Sequence, residues 1–70
     1  MFFRVQVILN GEQQTLSEGL TIAGLIDHLG LNQRRIAVEV NREIVACGQY
    51  AVRALANGDQ VEIVHFVGGG

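Results

Sequence analysis

Val61-Glu62-Ile63-Val64-His65-Phe66-Val67 leads into Gly68-Gly69-Gly70 at the end of the sequence. Val61 and Ile63 alternate with Glu62 and Val64, the period of a β-strand. The run is matched at the other end by Phe3 to Leu9, where Val5, Val7 and Leu9 alternate with Arg4, Gln6 and Ile8. These two strands are the longest and most apolar, so they are expected side by side and parallel in the middle of one sheet. The glycines that follow carry no β-carbon and reach backbone angles closed to other residues. A glycine tail is thin enough to pass down a narrow channel, and its α-carboxylate, with an unperturbed pKa of roughly 3.3–3.7, is an anion at neutral pH. A frayed terminus is the competing reading of the tail alone.

The segments between the two strands complete the architecture. Asn10-Gly11 separates Phe3–Leu9 from a returning strand, Glu12 to Leu16; Asn-Gly between extended runs is a strong hairpin signal, because both residues tolerate positive φ. After Ser17-Glu18-Gly19, Thr21 stands where a helix N-cap belongs. Ile22, Leu25, Ile26 and Leu29 then fall on one helical face, and Gly30 is placed to end the helix in the left-handed region. Gly24 lies on another face, where close packing is the expected reason for it. Leu31 to Arg35 connects to a third strand, in which Ile36, Val38 and Val40 alternate with Ala37 and Glu39. Asn41-Arg42 turns into a short fourth strand at Glu43-Ile44-Val45. In the segment from Ala46 to Asn57, Tyr50, Val52 and Leu55 are the candidate anchors, and Asn57-Gly58-Asp59 is a turn before the last strand. Strands gathered around one helix indicate an α+β fold. The expected topology is a ubiquitin-like β-grasp: a mixed sheet of four to five strands with one main helix packed on one face. Residues 1–66 are read as the β-grasp domain and 67–70 as a flexible glycine tail.

Composition narrows the function. Seventy residues make one small domain, which buries only about 60% of its unfolded surface. The 49% hydrophobic content compensates. With 17% charged residues and a formal net charge of −2, the chain lacks the clustered cations of a nucleic-acid surface. Its cations are Arg4, Arg34, Arg35, Arg42 and Arg53; the adjacent pair Arg34-Arg35 reads as a solvated loop. There is no lysine, so no side-chain amine can capture an activated acyl group. One cysteine, Cys47, forms no internal disulfide and supplies no four-cysteine cluster; nothing cationic flanks it, and it reads as a partly buried or inert thiol. No apolar run approaches the roughly 20 residues that span a membrane, and the N-terminus lacks the pattern of a signal peptide. The expected compartment is the cytoplasm.

Enzyme signatures are sparse. The sequence has no phosphate-binding loop, no dinucleotide fingerprint and no serine nucleophile elbow. His28 follows Asp27 on the helix, where adjacent side chains diverge, so the pair is not read as catalytic. His65 reads as a satisfied structural histidine at the inner edge of the sheet. The last strand is more informative. If Val61 and Ile63 face the helix, Glu62, Val64 and Phe66 face outward, and Val64 and Phe66 form a partner-docking patch beside the tail. The alternative is that Phe2-Phe3 or residues 46–57 cover them.

These residues together resemble the sulfur carrier proteins of thiamine biosynthesis, the ThiS family. The resemblance is carried by Asn10-Gly11, by Thr21-Ile22 with Leu25, Ile26 and Leu29, and by Val38-Glu39-Val40-Asn41-Arg42-Glu43-Ile44-Val45. Asn57-Gly58-Asp59-Gln60-Val61-Glu62-Ile63-Val64 and Phe66-Val67-Gly68-Gly69-Gly70 complete it. It covers nearly the whole chain. One departure is Ala46-Cys47-Gly48, where many members carry a proline and a basic residue.

The resemblance implies a carrier, not an enzyme. An E1-like adenylating enzyme would use ATP to convert the Gly70 carboxylate to an acyl-adenylate. A persulfide sulfur, supplied from cysteine by a cysteine desulfurase, would displace AMP and leave a thiocarboxylate on Gly70. Thiazole synthase would then take that sulfur while building the thiazole ring. Gly68 and Gly69 match the tail that carries Gly70, no cofactor is expected to be bound, and the free protein is expected to be a monomer. Three readings compete: the small subunit of molybdopterin synthase, a ubiquitin-like protein modifier, and a plain interaction module.

Overall fold

Asn10 and Gly11 both take positive φ, 48° and 84°, and close a two-residue turn between β1 (Arg4–Leu9) and β2 (Glu12–Ser17). The mirror-image turn matches the twist of the flanking strands, and the antiparallel register runs from Leu9↔Glu12 to Arg4↔Ser17. The computed structural model describes residues 3–66. The expected boundary after residue 66 and the tail positions Gly68, Gly69 and Gly70 lie outside the described residues.

The helix α1 (Ile22–His28) begins as expected, with the Thr21 hydroxyl accepting from the Gly24 amide at 3.1 Å. Its C-terminus shows why Gly30 is a glycine. Gly30 takes φ +72°, its amide donates to Asp27, and the Leu31 amide reaches back to Ile26, both at 3.0 Å. Both bonds satisfy helix-end carbonyls in the Schellman arrangement. A seven-residue helix has no stability of its own in water. It is held by Ile22, Leu25 and Ile26, each at most 1% exposed; burying three such side chains contributes about 5–9 kcal/mol in transfer terms. Leu29 departs from expectation. It is the C-cap residue, already turning off the helix, and is 42% exposed. Gly24 is close-packed as anticipated: a β-carbon there would lie 2.7 Å from Leu20 Cδ1.

The chain then passes through a 3₁₀ turn (Gln33–Arg35) into β3 (Ile36–Val40), and through Asn41-Arg42, both at positive φ, into β4 (Glu43–Val45). The last strand, β5 (Gln60–His65), lies between β1 and β3. The sheet order is β2-β1-β5-β3-β4, with β1 and β5 parallel and the other neighbours antiparallel. This is the β-grasp: a five-stranded mixed sheet with one helix on one face. Val7, Leu9, Leu16, Val38, Val40, Val61 and Ile63 meet the helix in a single core.

Residues 46–57, the least legible part of the sequence, form a strap over the start of α1. A 3₁₀ turn (Cys47–Gln49) is capped by Tyr50. The Tyr50 and Arg53 carbonyls accept from the Ala23 and Ile22 amides at 2.8 and 3.0 Å. Two of the helix's first-turn donors are thus satisfied by a loop remote in sequence. Tyr50 and Leu55 anchor the strap, at 2% and 3% exposure, whereas Val52 is 70% exposed and anchors nothing. Burial, and secondarily the neighbouring Cys47, push the Tyr50 phenol above its ordinary range. Cys47 itself is exposed, not partly buried, in the 3₁₀ turn that precedes Tyr50.

Candidate functional site

The outer face of β5 carries Glu62, Val64 and, just past the strand, Phe66. Val61 and Ile63 are 0% and 7% exposed on the helix side, while Val64 is 53% and Phe66 59% exposed on the other. Pleat alternation therefore places Val64 and Phe66 together on the face away from the helix. Neither Phe3 nor residues 46–57 cover them; Phe2 lies outside the described residues. Residues 46–57 pack against the helix side through Tyr50 and Leu55. Phe3 stands at the start of β1, its carbonyl accepting from Glu18. Because β1 and β5 are parallel, that is the opposite end of the sheet from Phe66.

The direction in which β5 leaves the domain is fixed by two contacts from distant sequence. β1 pairs with β5 only at Ile8↔Gln60 and Leu9↔Val61, so the second half of β5 runs on past the end of β1. There the Asn10 side chain stands in for the missing strand. Its Oδ1 accepts from the Ile63 amide at 2.8 Å, and its Nδ2 donates to the Ile63 carbonyl at 3.3 Å. A side-chain amide thus extends the ladder by one peptide. On the other edge the Phe66 amide donates to the Arg35 carbonyl at 2.8 Å, which keeps the chain paired beyond Ile36↔His65.

This second contact brings Arg34 and Arg35 beside Phe66. Asn32, Arg34, Arg35 and Phe66 line an open cleft of about 410 Å³. The Asn32 side chain caps the turn, accepting from the Arg34 amide at 2.9 Å. Neither the clamp of Asn10 on Ile63 nor the place of the two arginines beside Phe66 follows from the local sequence. The sequence marks Asn10 only as a turn residue and the arginine pair only as a solvated loop.

The other candidates do not assemble into a site. His65 occupies an inward-facing position but is exposed, because β1 has ended four residues earlier along β5 and leaves that side uncovered. The expected place at the inner edge of the sheet is the one it takes, with the side chain exposed there. Asp27 and His28 are both exposed in the last turn of α1. No group of three His, Cys, Asp or Glu able to hold a metal ion occurs among the described residues. Among the described residues no helix is long and apolar enough to cross a membrane.

The sequence profile of the ThiS family matches residues 4–70. The chain belongs to the ThiS family. A thiazole synthase of Paramagnetospirillum magneticum is 42% identical over 66 residues, covering 94% of this chain but 20% of that protein. The chain thus spans only about a fifth of the length of that relative. The sulfur carrier protein ThiS of Bacillus subtilis is 42% identical over 50 residues, 71% of this chain and 76% of its own. Among solved structures, the thiamine biosynthesis protein ThiS of Geobacter metallireducens superposes with a TM-score of 0.80 at 29% identity. That match covers 94% of this chain and all of the other.

Proposed function

We propose that this protein is a sulfur carrier of thiamine biosynthesis and that the Gly70 carboxylate is its working group. The observation that carries the reading is the match to the ThiS family from residue 4 through the last glycine, on a fold superposing on a ThiS structure. The chemistry follows from the carboxylate. It is a poor electrophile, and attack of its oxygen on the α-phosphorus of ATP, with loss of pyrophosphate, gives an acyl-adenylate. The terminal sulfur of a partner's persulfide attacks the acyl carbon, and AMP leaves with the electron pair of the broken C–O bond. A thiol then cleaves the S–S bond of the acyl disulfide, and Gly70 keeps one sulfur as a thiocarboxylate.

The protein supplies presentation, not catalysis. Gly68 and Gly69 give a tail without side chains to enter a partner's site, and Val64 and Phe66 dock the domain outside it. The activating partner is an adenylating enzyme that uses ATP, charged by a cysteine desulfurase, and the compartment is the cytoplasm. The receiving partner is thiazole synthase. This choice is supported by thiazole synthases of which a fifth matches this chain, in Paramagnetospirillum magneticum and Magnetococcus marinus. The absence of lysine fits a protein whose own carboxylate is activated in the presence of many copies of itself.

The test is reconstitution with ATP, the adenylating enzyme, a cysteine desulfurase and cysteine, read by intact mass. Exchange of one oxygen for one sulfur is expected. An unchanged mass, with both enzymes active on a known carrier, would reject the reading.

A further inference from the structure

The β3–β5 ribbon carries an ordered series of side chains on its outer face. At the tail end Phe66 pairs with Arg35 through the backbone bond described above, with Arg34 alongside. The next outward-facing pair is Ala37↔Val64, and the one after it is Glu39↔Glu62. Moving away from the tail, the strip therefore reads cationic, apolar, anionic. Arg34 and Arg35 are two of the five cations in a chain of net charge −2, yet both sit where β5 hands over to the tail. At the other end two carboxylates stand directly opposite one another across neighbouring strands. That arrangement is unfavourable for the isolated fold, and Arg42, which lines a cleft of about 190 Å³ together with Glu39, Gln60 and Glu62, offsets it in part.

We infer that this strip is a polarity key: it seats the domain on thiazole synthase in a single orientation, with the tail directed into the enzyme. The inference rests on the reading of thiazole synthase as the receiving partner. It assigns the enzyme a complementary surface, with carboxylates at the mouth of the site that accepts Gly70, an apolar patch beside them, and cations farther out. The reach of the tail places the arginines at that mouth and not inside it. Four residues beyond Phe66 span at most about 14 Å, so a cation at residue 34 or 35 meets the rim while Gly70 is at the reacting atoms. A purely apolar patch would tolerate docking turned end for end, with the tail pointing away. Opposite charges at the two ends penalise that arrangement, because like charges would then meet.

The experiment measures binding of the unmodified carrier to the thiazole synthase of the same organism by calorimetry at low and high salt, so that the result does not depend on sulfur loading. Two charge-reversed proteins are compared with wild type, Arg34→Glu with Arg35→Glu, and Glu39→Lys with Glu62→Lys. Arg34, Arg35 and Glu62 are exposed and Glu39 is half-buried, and thermal unfolding verifies that each variant is folded. The neutral pair Arg34→Gln with Arg35→Gln provides an intermediate step. Each reversal is expected to weaken binding about tenfold or more at low salt, the neutral pair by less, and the differences should shrink at high salt. Combining both reversals should not restore affinity. Wild-type affinity in the reversed proteins, or a loss independent of salt, would overturn the key while leaving the carrier reading intact. Failure of the wild type to bind thiazole synthase, with sulfur still loaded on Gly70, would overturn the partner assignment and the key with it.

Discussion

Replacing Phe66 with alanine separates a docking residue from a core residue. In the free protein the ring is 59% exposed, so about 41% of it is withdrawn from water. Full burial of a phenylalanine contributes about 1.5–3 kcal/mol, which puts the cost of Phe66→Ala to folding at about 0.6–1.2 kcal/mol. A partner that covers the rest of the ring gains the complementary part, about 0.9–1.8 kcal/mol, or about a 5- to 20-fold change in affinity. A stability loss of that size leaves the variant folded, so the affinity change is not a consequence of unfolding. Urea denaturation followed by circular dichroism measures the first quantity, and calorimetric titration with thiazole synthase or the adenylating enzyme the second. Unchanged affinity for both enzymes would refute the docking role. A stability loss of about 3 kcal/mol or more would mean that the ring belongs to the core.

Other outcomes follow from the same contacts. Asn10→Gly keeps the left-handed turn but removes both bonds to Ile63; it should cost about 1–3 kcal/mol in urea denaturation and raise amide exchange at Ile63, and wild-type protection there would show that the clamp is idle. Thr21→Ala removes the acceptor for the Gly24 amide and should lower stability by about 1 kcal/mol, measured in the same way. Tyr50 titrates from a raised folded-state value. Its contribution to stability is therefore complete below the unfolded phenol's pKa of about 10 and is lost as pH rises through the higher folded value. Tyr50→Phe should flatten the decline of melting temperature in that alkaline range, and an unchanged alkaline slope would contradict this.

Much of the fold was legible because local chemistry and long-range packing agree. Asn10-Gly11, Asn41-Arg42 and Gly58 all take the positive φ that their turns require. Thr21 caps, Gly30 terminates, and the apolar alternation of Val61 and Ile63 faces the core as read. The outward position of Val64 and Phe66 follows from the same alternation. The parts that were not legible depend on residues far apart in sequence. Tyr50 is buried where the strap docks on the start of the helix, its carbonyl taking the Ala23 amide and that of Arg53 the Ile22 amide, and nothing near residue 50 announces that docking. Cys47 and His65 are exposed because of where other segments begin and end. Arg34 and Arg35 read as an ordinary polar loop until the Phe66 amide ties the chain end to the Arg35 carbonyl. The side chain of Asn10 had a reason to be asparagine beyond its turn, but the turn alone accounted for it.

The central claim is that one sulfur is carried on Gly70. It is tested most directly by fragmenting the loaded protein in a mass spectrometer and locating the added sulfur, alongside a chain lacking Gly70. The account predicts that sulfur replaces oxygen in the C-terminal glycine fragment alone, and that the shortened chain stays folded and gains none. Sulfur found on Cys47, or loading of the chain that lacks Gly70, would contradict it.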